Sequence, residues 1–81
     1  MSIHVKLFAA ARELAGVDEI AVDVAVPTTV ANVREALAAA APVVAPLLGH
    51  AVFAVNQEYA ADTHAVLDGD EVALIPPVSG G

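Results

Sequence analysis

The sequence predicts an α+β fold in which a mixed sheet of about five strands is covered by one main helix. Three observations lead to this prediction: short segments in which apolar and polar residues alternate, one longer segment with apolar residues at helical spacing, and turn-forming residues between them. The 81 residues are few enough for a single domain, predicted over residues 1–75 and followed by a flexible C-terminal tail over residues 76–81.

Two strands and a short helix are predicted in the first third of the chain. Residues 2–8 alternate between apolar and polar, which predicts a strand with one buried face and with Phe8 on the outward face. Residues 9–14 are good helix formers, and Gly16 can adopt the left-handed conformation that ends a helix. Residues 19–26 alternate again, with Val26 as the last inward residue, and predict a second strand that is antiparallel to the first because the two are close in sequence.

The main helix is predicted in the middle of the chain. Thr28 or Thr29 can cap it. Within residues 30–41, apolar residues recur at the spacing that places them on one face of a helix. They form an apolar stripe of Val30, Val33 and Leu37. Pro42 stops this helix, and residues 42–50 are expected to form an irregular connection with a short helical turn. The apolar stripe makes this helix the predicted cover of the sheet.

Three further strands are predicted in the last third of the chain. Residues 51–55 and 71–75 are mainly apolar, and a short strand begins at Tyr59. Residues 56–57, Asn-Gln, are typical of a turn between the first two of these strands. A second turn, with Gly69 at positive φ, precedes the last strand. The order is strand, strand, helix, strand, short strand, strand.

Composition excludes several classes of function. A net charge of −7 makes nucleic acid a poor partner, because phosphates would be repelled. The absence of cysteine excludes disulfides, thiolate metal sites and a persulfide on this chain. No metal site is expected either, because the histidines lie on separate predicted elements. Charges and prolines interrupt the apolar stretch of residues 30–48, and the N-terminus lacks a signal-peptide pattern. We therefore expect a cytoplasmic protein without a membrane span.

The residues with the clearest chemical meaning are the last six. Two prolines cannot donate hydrogen bonds to a sheet, so the chain is expected to leave the domain as an extended arm that reaches about 20 Å. The final residue lacks a Cβ, which leaves its carbonyl open to attack. We predict that the carboxylate of Gly81 is the working group, carried on a tail formed by Pro76, Pro77, Val78, Ser79, Gly80 and Gly81.

Three segments resemble those of a known family: VKLFAAARELAG near the start, AVNQ at residues 54–57, and LDGDEVALIPPVSGG at the end. They resemble the ubiquitin-like sulfur carriers, and most specifically the small, sulfur-carrier subunits of molybdopterin synthase. The LDGDEV turn alone is shared with other carriers, including that of the thiamine pathway, whereas RELAG combined with PPVSGG is more specific. The resemblance spans the whole chain and implies a β-grasp fold, which the predicted order of elements also fits.

The resemblance implies a protein that carries sulfur and is not an enzyme on its own. A ubiquitin-activating-like adenylyltransferase would consume ATP and join the Gly81 carboxylate to AMP. A sulfur donor protein would then displace AMP and leave a thiocarboxylate. The large synthase subunit, in a heterotetramer of two small and two large subunits, would use this sulfur on a cyclic pyranopterin phosphate during molybdenum cofactor biosynthesis. No permanently bound cofactor is implied, and sulfur held on the main chain agrees with the absence of cysteine.

A partner surface is predicted beside the tail. Phe8 and Ile75 fall on the outward faces of the first and last strands, which are neighbours in a β-grasp sheet, and should form an exposed apolar patch. Arg12 is a further candidate that can pair with a partner carboxylate. The alternatives are a sulfur carrier for another pathway, such as thiamine, and a ubiquitin-like modifier that forms isopeptide bonds. A plain protein-binding module would not need the terminal carboxylate.

Overall fold

The computed structural model describes residues 1–76 and shows one mixed five-stranded sheet, one two-stranded sheet and three helices. The strands are β1 (Ser2–Leu7), β2 (Glu19–Asp23), β3 (Thr28–Thr29), β4 (Val52–Val55), β5 (Glu58–Ala60), β6 (Ala65–Val66) and β7 (Val72–Ile75). The helices are α1 (Ala9–Ala15), α2 (Val30–Ala40) and α3 (Ala45–Leu48), and a 3-10 turn spans Pro42–Val44. The predicted α+β fold, with a main helix over a mixed sheet, is confirmed.

The last strand lies in the centre of the main sheet. The strand order is β2-β1-β7-β4-β5, so that β7 pairs with β1 on one side and with β4 on the other. The β1–β7 pairing is parallel, with Leu7 opposite Leu74, and the other pairings in this sheet are antiparallel. The segment that leads to the tail is therefore hydrogen-bonded along both of its edges.

The hydrophobic core lies between one face of this sheet and the helices. The inward residues of β1 and β7 alternate with outward ones as predicted, and the α2 stripe packs against them. The largest fully buried side chains are Phe53, Ile3, Leu7, Leu37, Leu74, Val5, Val30, Val33, Val44, Val66 and Val72. Each contributes about 1.5–3 kcal/mol relative to an exposed side chain, which lets so short a chain keep a core.

The second strand is shorter than predicted, and the inward position predicted for Val26 is wrong. The β1–β2 ladder pairs Ser2 with Asp23, and one further hydrogen bond joins the Val24 amide to the Met1 carbonyl. Val26 lies beyond this last contact and is 70% exposed. The alternation of apolar and polar residues in the sequence continues to Val26, but β1 has no residue left with which Val26 could pair.

The small β3–β6 sheet was not predicted. Thr28 pairs with Val66 and Thr29 with Ala65 in an antiparallel arrangement. Thr29 then precedes α2 as its N-cap in an extended conformation, although its side chain makes no capping hydrogen bond. Two residues per strand are too few to show a period, so the sequence pattern contained no signal for this sheet.

The predicted turn at residues 56–57 is a tight hairpin loop. Val55 pairs with Glu58, and the two residues between them, Asn56 and Gln57, have φ values of 52° and 70°. Positive φ at both central positions gives the two-residue loop that matches the twist of the flanking strands. Asparagine tolerates this conformation better than most residues, which explains its use at the first position.

The apolar stretch of residues 30–48 folds as separate helical pieces. Its first part is α2, which is followed by the 3-10 turn and α3. No single helix within residues 1–76 is long and apolar enough to cross a membrane. Only two consecutive helical segments together have the length and apolar composition of a membrane span, Val30–Ala40 and Pro42–Leu48. The angle between them is 113°.

Candidate functional site at the tail end of the sheet

The candidate site is the end of the sheet at which β7 leads into the terminal residues. Ile75 closes β7 opposite Val52 of β4, and Pro76, the next residue, is buried. Pro76 is therefore packed against the domain. The remainder of the predicted tail lies outside the described residues, and its role stays a prediction; it comprises Pro77, Val78, Ser79, Gly80 and Gly81.

The sheet face turned away from the core is apolar at this end. Register places Ala73 beside Ala54, and Ile75 beside Val52, on that face. Phe8 directly follows Leu7, which pairs with Leu74, so the register brings Phe8 to the level of Ile75. We call the surface formed by Phe8, Val52, Ala54, Tyr59, Ala73 and Ile75 the outer apolar face.

The larger side chains of the outer apolar face are accessible, whereas Ala54 and Ala73 are buried. Phe8 is 48% exposed, Val52 is 47% exposed, and Ile75 is partly buried. The two sequence-predicted members, Phe8 and Ile75, are thus joined by Val52, which sequence reasoning missed. Residues 51–55 are apolar throughout and show no alternation, so the outward position of Val52 becomes evident only from its register opposite Ile75. An accessible apolar face of this kind marks a surface that a partner can cover.

Phe8 and Arg12 lie around one surface cavity. This cavity of about 390 Å³ is also lined by Lys6, Asp18 and Glu19. Phe8 is the N-cap of α1, and it lies one residue beyond β1 because that strand ends at Leu7. Arg12 forms no ion pair within residues 1–76. The structure therefore brings Arg12 close to the outer apolar face.

A salt bridge and a histidine–carboxylate contact border the outer apolar face on the β1 side. Lys6 Nζ lies 3.6 Å from Glu71 Oε2, and His4 Nδ1 lies 3.1 Å from Glu19 Oε2. Exposed pairs of this kind add little stability, because water screens them and side-chain entropy opposes them. Their main effect is to fix polar groups at the margin of an apolar surface.

A polar network holds the turn that begins β7. The Asn56 side chain accepts a hydrogen bond from the Glu71 amide at 3.0 Å and donates one to Asp70 Oδ1 at 3.1 Å. Asp70 Oδ2 in turn accepts the Leu67 amide at 2.8 Å. The Leu67 amide and the Asn56 side chain lower the pKa of Asp70 below its ordinary value, because both donate to the charged carboxylate. The strand that leads to the tail is thereby fixed at its start.

No candidate metal centre lies in the part of the chain that the structure describes. Within residues 1–76, no three side chains of histidine, aspartate or glutamate come close enough together to hold a metal ion. The histidines lie apart: His4 faces Glu19 on the sheet, and the others, His50 and His64, are on connections. What the arrangement presents is an apolar face with Arg12 at its side, at the end of a central strand that continues into Pro-Pro-Val-Ser-Gly-Gly.

The fold and this placement of the C-terminal strand define a ubiquitin-like β-grasp protein. A solved structure from Haloferax volcanii, described as SAMP1, is similar with a TM-score of 0.87 and 38% identity, and covers 100% of both chains. The main sheet with its central last strand is therefore a known arrangement. The β-grasp fold implied by the sequence resemblance is confirmed.

Sequence comparison identifies the family. The ThiS family model matches residues 5–81, and the chain belongs to the ThiS family. It is 42% identical to the "Molybdopterin synthase sulfur carrier subunit" of Chlamydomonas reinhardtii over 100% of both proteins. It is 43% identical to the protein of the same description from Escherichia coli strain K12, over 98% of this chain and 99% of that protein. The resemblance stated from the sequence is confirmed.

Proposed function

We propose that this chain is the sulfur carrier subunit of a molybdopterin synthase. The observation that carries the proposal is the end-to-end similarity, at 42% identity, to a protein of that description. The structure supports it, because the central strand β7 anchors the segment that precedes the terminal Gly-Gly. As a carrier, the chain contributes the group that holds sulfur, and its partners contribute the catalysis.

The proposed chemistry takes place at the Gly81 carboxylate. A carboxylate is a poor electrophile, whereas its mixed anhydride with AMP is a good one, so ATP is consumed by an activating adenylyltransferase. The outer sulfur of a persulfide on a donor protein attacks the Gly81 carbonyl carbon and AMP leaves with the electrons of the broken C–O bond. A second thiol then attacks the S–S bond of this acyl disulfide, forms a disulfide with the donor, and releases the Gly81 thiocarboxylate. The large synthase subunit transfers this sulfur to a cyclic pyranopterin phosphate. A chain without cysteine suits this scheme, because its sulfur is carried on the main chain.

The proposed docking surface for the large subunit and for the activating enzyme is the outer apolar face, with Arg12 beside it. Apolar area at its centre supplies binding free energy, and charge around it sets orientation and association rate. A net charge of −7 favours partners whose clefts are basic. In the assembled synthase we propose two small and two large subunits.

Intact mass tests the proposed chemistry. The protein is incubated with its activating enzyme, ATP and a sulfur donor, and we expect the mass gain that corresponds to one sulfur in place of one oxygen. The matched control is a chain extended by one residue beyond Gly81, which should show no gain because its terminal carboxylate is displaced. Release of pyrophosphate without any sulfur gain would contradict the sulfur-carrier proposal.

Substitution of Phe8 tests the proposed docking surface. Phe8→Asp should weaken binding to the large subunit by about tenfold or more, the loss typical of an aromatic anchor at an interface. The control is Val43→Asp, because Val43 is 50% exposed, like Phe8, but lies in the 3-10 turn away from this face. Calorimetry measures the affinities, and circular dichroism checks that both variants are folded. Equal affinities for the two variants would remove Phe8 from the interface.

A ubiquitin-like modifier is the second candidate function. The observation that favours it is the similarity to the Haloferax volcanii protein described as "Small archaeal modifier protein 1", at 40% identity over 94% of this chain. Both functions begin with activation of a terminal glycine and differ in the acceptor. Conjugates to lysines of other proteins would support the modifier. Sulfur incorporation into a pyranopterin by the reconstituted synthase would support the carrier, and incorporation only into a thiazole would support the thiamine pathway.

A further inference from the structure

A groove lies at the end of β1 opposite to the candidate site. Its volume is about 530 Å³, and it is lined by the start of β1, the residues between β2 and β3, and the residues of β6 with the two that follow. Its floor contains Thr28 and Val66, which are 3% and 1% exposed, and its rim contains Val26 and Leu67, which are 70% and 66% exposed. We call this cavity the N-terminal groove. Accessible aliphatic side chains around a buried floor form a surface that an apolar group can fill.

The backbone of Ser2 offers hydrogen-bonding groups to this groove. Met1 and Val24 exchange two backbone hydrogen bonds, each of 2.9 Å. Because bonded and non-bonded pairs alternate in an antiparallel ladder, the N–H and C=O of Ser2, which is opposite Asp23, point away from β2. On that side β7 pairs with β1 only from Val5 onward, so no strand within residues 1–76 pairs with Ser2 there. Since Ser2 lines the groove, a short open sheet edge borders it.

Thr28 gives the groove a polar group without a partner. Its Oγ1 is buried and forms no hydrogen bond within residues 1–76. A buried hydroxyl that is left unpaired destabilises the folded chain, and valine would fill the same volume without that cost. The hydroxyl therefore indicates a hydrogen-bonding group that comes from outside this part of the chain. Because Thr28 lines the groove, a bound segment is in a position to supply that group.

The charge around the groove is negative. Asp68 lines it, and Asp23 lies opposite Ser2 on β2. Among the described residues that line the groove, the one positive group is the Met1 amine, which already donates to the Val24 carbonyl. No lysine or arginine of residues 1–76 lines it. The groove therefore favours a cationic ligand over a second copy of this chain, which would bring a net charge of −7 of its own.

We propose that the N-terminal groove binds a short extended segment of a partner protein in which an apolar residue stands beside a lysine or arginine. The apolar side chain packs against Val26 and Leu67, the backbone of the segment pairs with Ser2, and the positive charge faces Asp68. Such strand addition takes affinity from main-chain hydrogen bonds and specificity from the side chains.

The position of the N-terminal groove separates it from the proposed docking surface. Met1 and Ser2 begin β1, whereas Phe8 follows its last residue, so the groove and the outer apolar face lie at opposite ends of this strand. Both surfaces can be occupied at once. A protein bound in the groove would hold the chain without covering the end of β7. The inference does not rest on the proposed function.

The experiment titrates the full ¹⁵N-labelled chain with the acetylated and amidated peptide Lys-Val-Lys-Val-Lys-Val-Lys. In an extended strand this alternation places the valines on one face and the lysines on the other. We expect saturable amide shifts in the NMR spectra at Ser2, Leu67 and Asp68, and none at Phe8. The same peptide with glutamate at each lysine position should cause no shifts, because its charge has the sign of Asp68.

Three variants locate the contacts. Leu67→Gln removes an apolar side chain at the rim without a change of charge and should lower the peptide affinity at least about fivefold. The matched control is Leu14→Gln, because Leu14 is 49% exposed on α1, and its affinity should stay within about twofold of wild type. Thr28→Val should weaken binding by about threefold without a fall in the urea midpoint. Calorimetry measures the affinities, and circular dichroism checks that each variant is folded.

Each outcome decides for or against the groove. Saturable shifts at the groove, together with the expected losses, support the proposal. Shifts spread over the acidic surface, or equal affinities for Leu67→Gln and Leu14→Gln, overturn it, because the peptide then binds through net charge alone. Absence of shifts, or equal binding of the glutamate peptide, also overturns it. Shifts of the same amides on raising the protein concentration without peptide would assign the groove to a second copy instead. None of these results changes the expected sulfur gain at Gly81, so the two proposals fail separately.

Discussion

Replacing Arg34 with methionine is expected to lower the free energy of unfolding by about 3.5–4 kcal/mol. Arg34 lies on α2, and its Nη1 donates hydrogen bonds to the carbonyls of Leu48 and Ala51, the latter at 3.1 Å. Its Nη2 donates to Asp62 Oδ1 at 2.8 Å, and its Cζ lies 5.0 Å from the centroid of the Phe53 ring. One side chain thus joins the main helix to the segments on both sides of the β4–β5 hairpin.

The magnitude follows from the separate contacts. Hydrogen bonds from a charged donor contribute about 1.5–3 kcal/mol each, and the partly exposed position of Arg34 favours the lower end for the two carbonyls. The contact with Phe53 adds about 0.5 kcal/mol. The Asp62 pair adds less than about 0.5 kcal/mol, because its carboxylate is largely in water. Since a domain of this length has only about 4–12 kcal/mol in total, the loss should be large in proportion.

Urea unfolding measures this loss. The chain contains no tryptophan, so circular dichroism of the backbone is the suitable signal. With a slope of about 1 kcal/mol per molar urea, Arg34→Met should lower the midpoint by about 3.5–4 M. Arg34→Lys should recover part of the loss, because lysine keeps the positive charge but lacks the two terminal guanidinium nitrogens. Asp62→Asn should change the midpoint by less than about 0.5 M. A midpoint for Arg34→Met within about 1 M of wild type would refute this account of the helix attachment.

Three further predictions concern turns and buried polar groups. Asn56→Gly keeps the positive φ and should cost about 1 kcal/mol through lost hydrogen bonds, whereas Asn56→Ala should cost about 1 kcal/mol more through backbone strain; equal urea midpoints would contradict the strain argument. The pKa of Asp70 is lower in the folded than in the unfolded chain, so its stabilisation is present above the unfolded value and is lost as pH falls through the folded one. As the pH is lowered below about 4, the urea midpoint of Asp70→Asn should therefore fall less than that of the wild type. Thr28 Oγ1 is buried and has no hydrogen-bond partner within residues 1–76, so Thr28→Val should be neutral or raise the free energy of unfolding by up to about 1 kcal/mol; a clear loss would show that the hydroxyl is satisfied.

Periodic segments with a buried face could be predicted from the sequence. The alternation in β1 and the stripe on α2 correspond to side chains that the structure buries almost completely. Turns that require a positive φ could also be predicted from the sequence, because Asn56 and Gly69 tolerate the positive φ that the structure shows. In these cases one local rule and the global fold favour the same structure.

Features that depend on partners distant in sequence could not be predicted. Arg34 on an amphipathic helix is typical of a solvated face, and its carbonyl acceptors carry no side-chain signature. The β3–β6 pairing joins segments that are each two residues long, and Val26 continued an alternation that no longer had a pairing partner. At the candidate site, the tail and Phe8 were visible in the sequence, whereas the contribution of Val52 required the register between β4 and β7.

The central position of β7 has a mechanical consequence under the proposed function, in which other proteins act on the terminal residues. A strand at the edge of a sheet has one ladder of hydrogen bonds, and a pull on its end can peel it away one residue at a time. β7 has two ladders, to β1 and to β4, and its inward side chains Val72 and Leu74 are fully buried. Displacing it would open the core as well as both ladders, so local peeling becomes as costly as global unfolding. We therefore expect the outer apolar face, which includes Ile75 of the same strand, to keep its shape when a force acts on the end of β7.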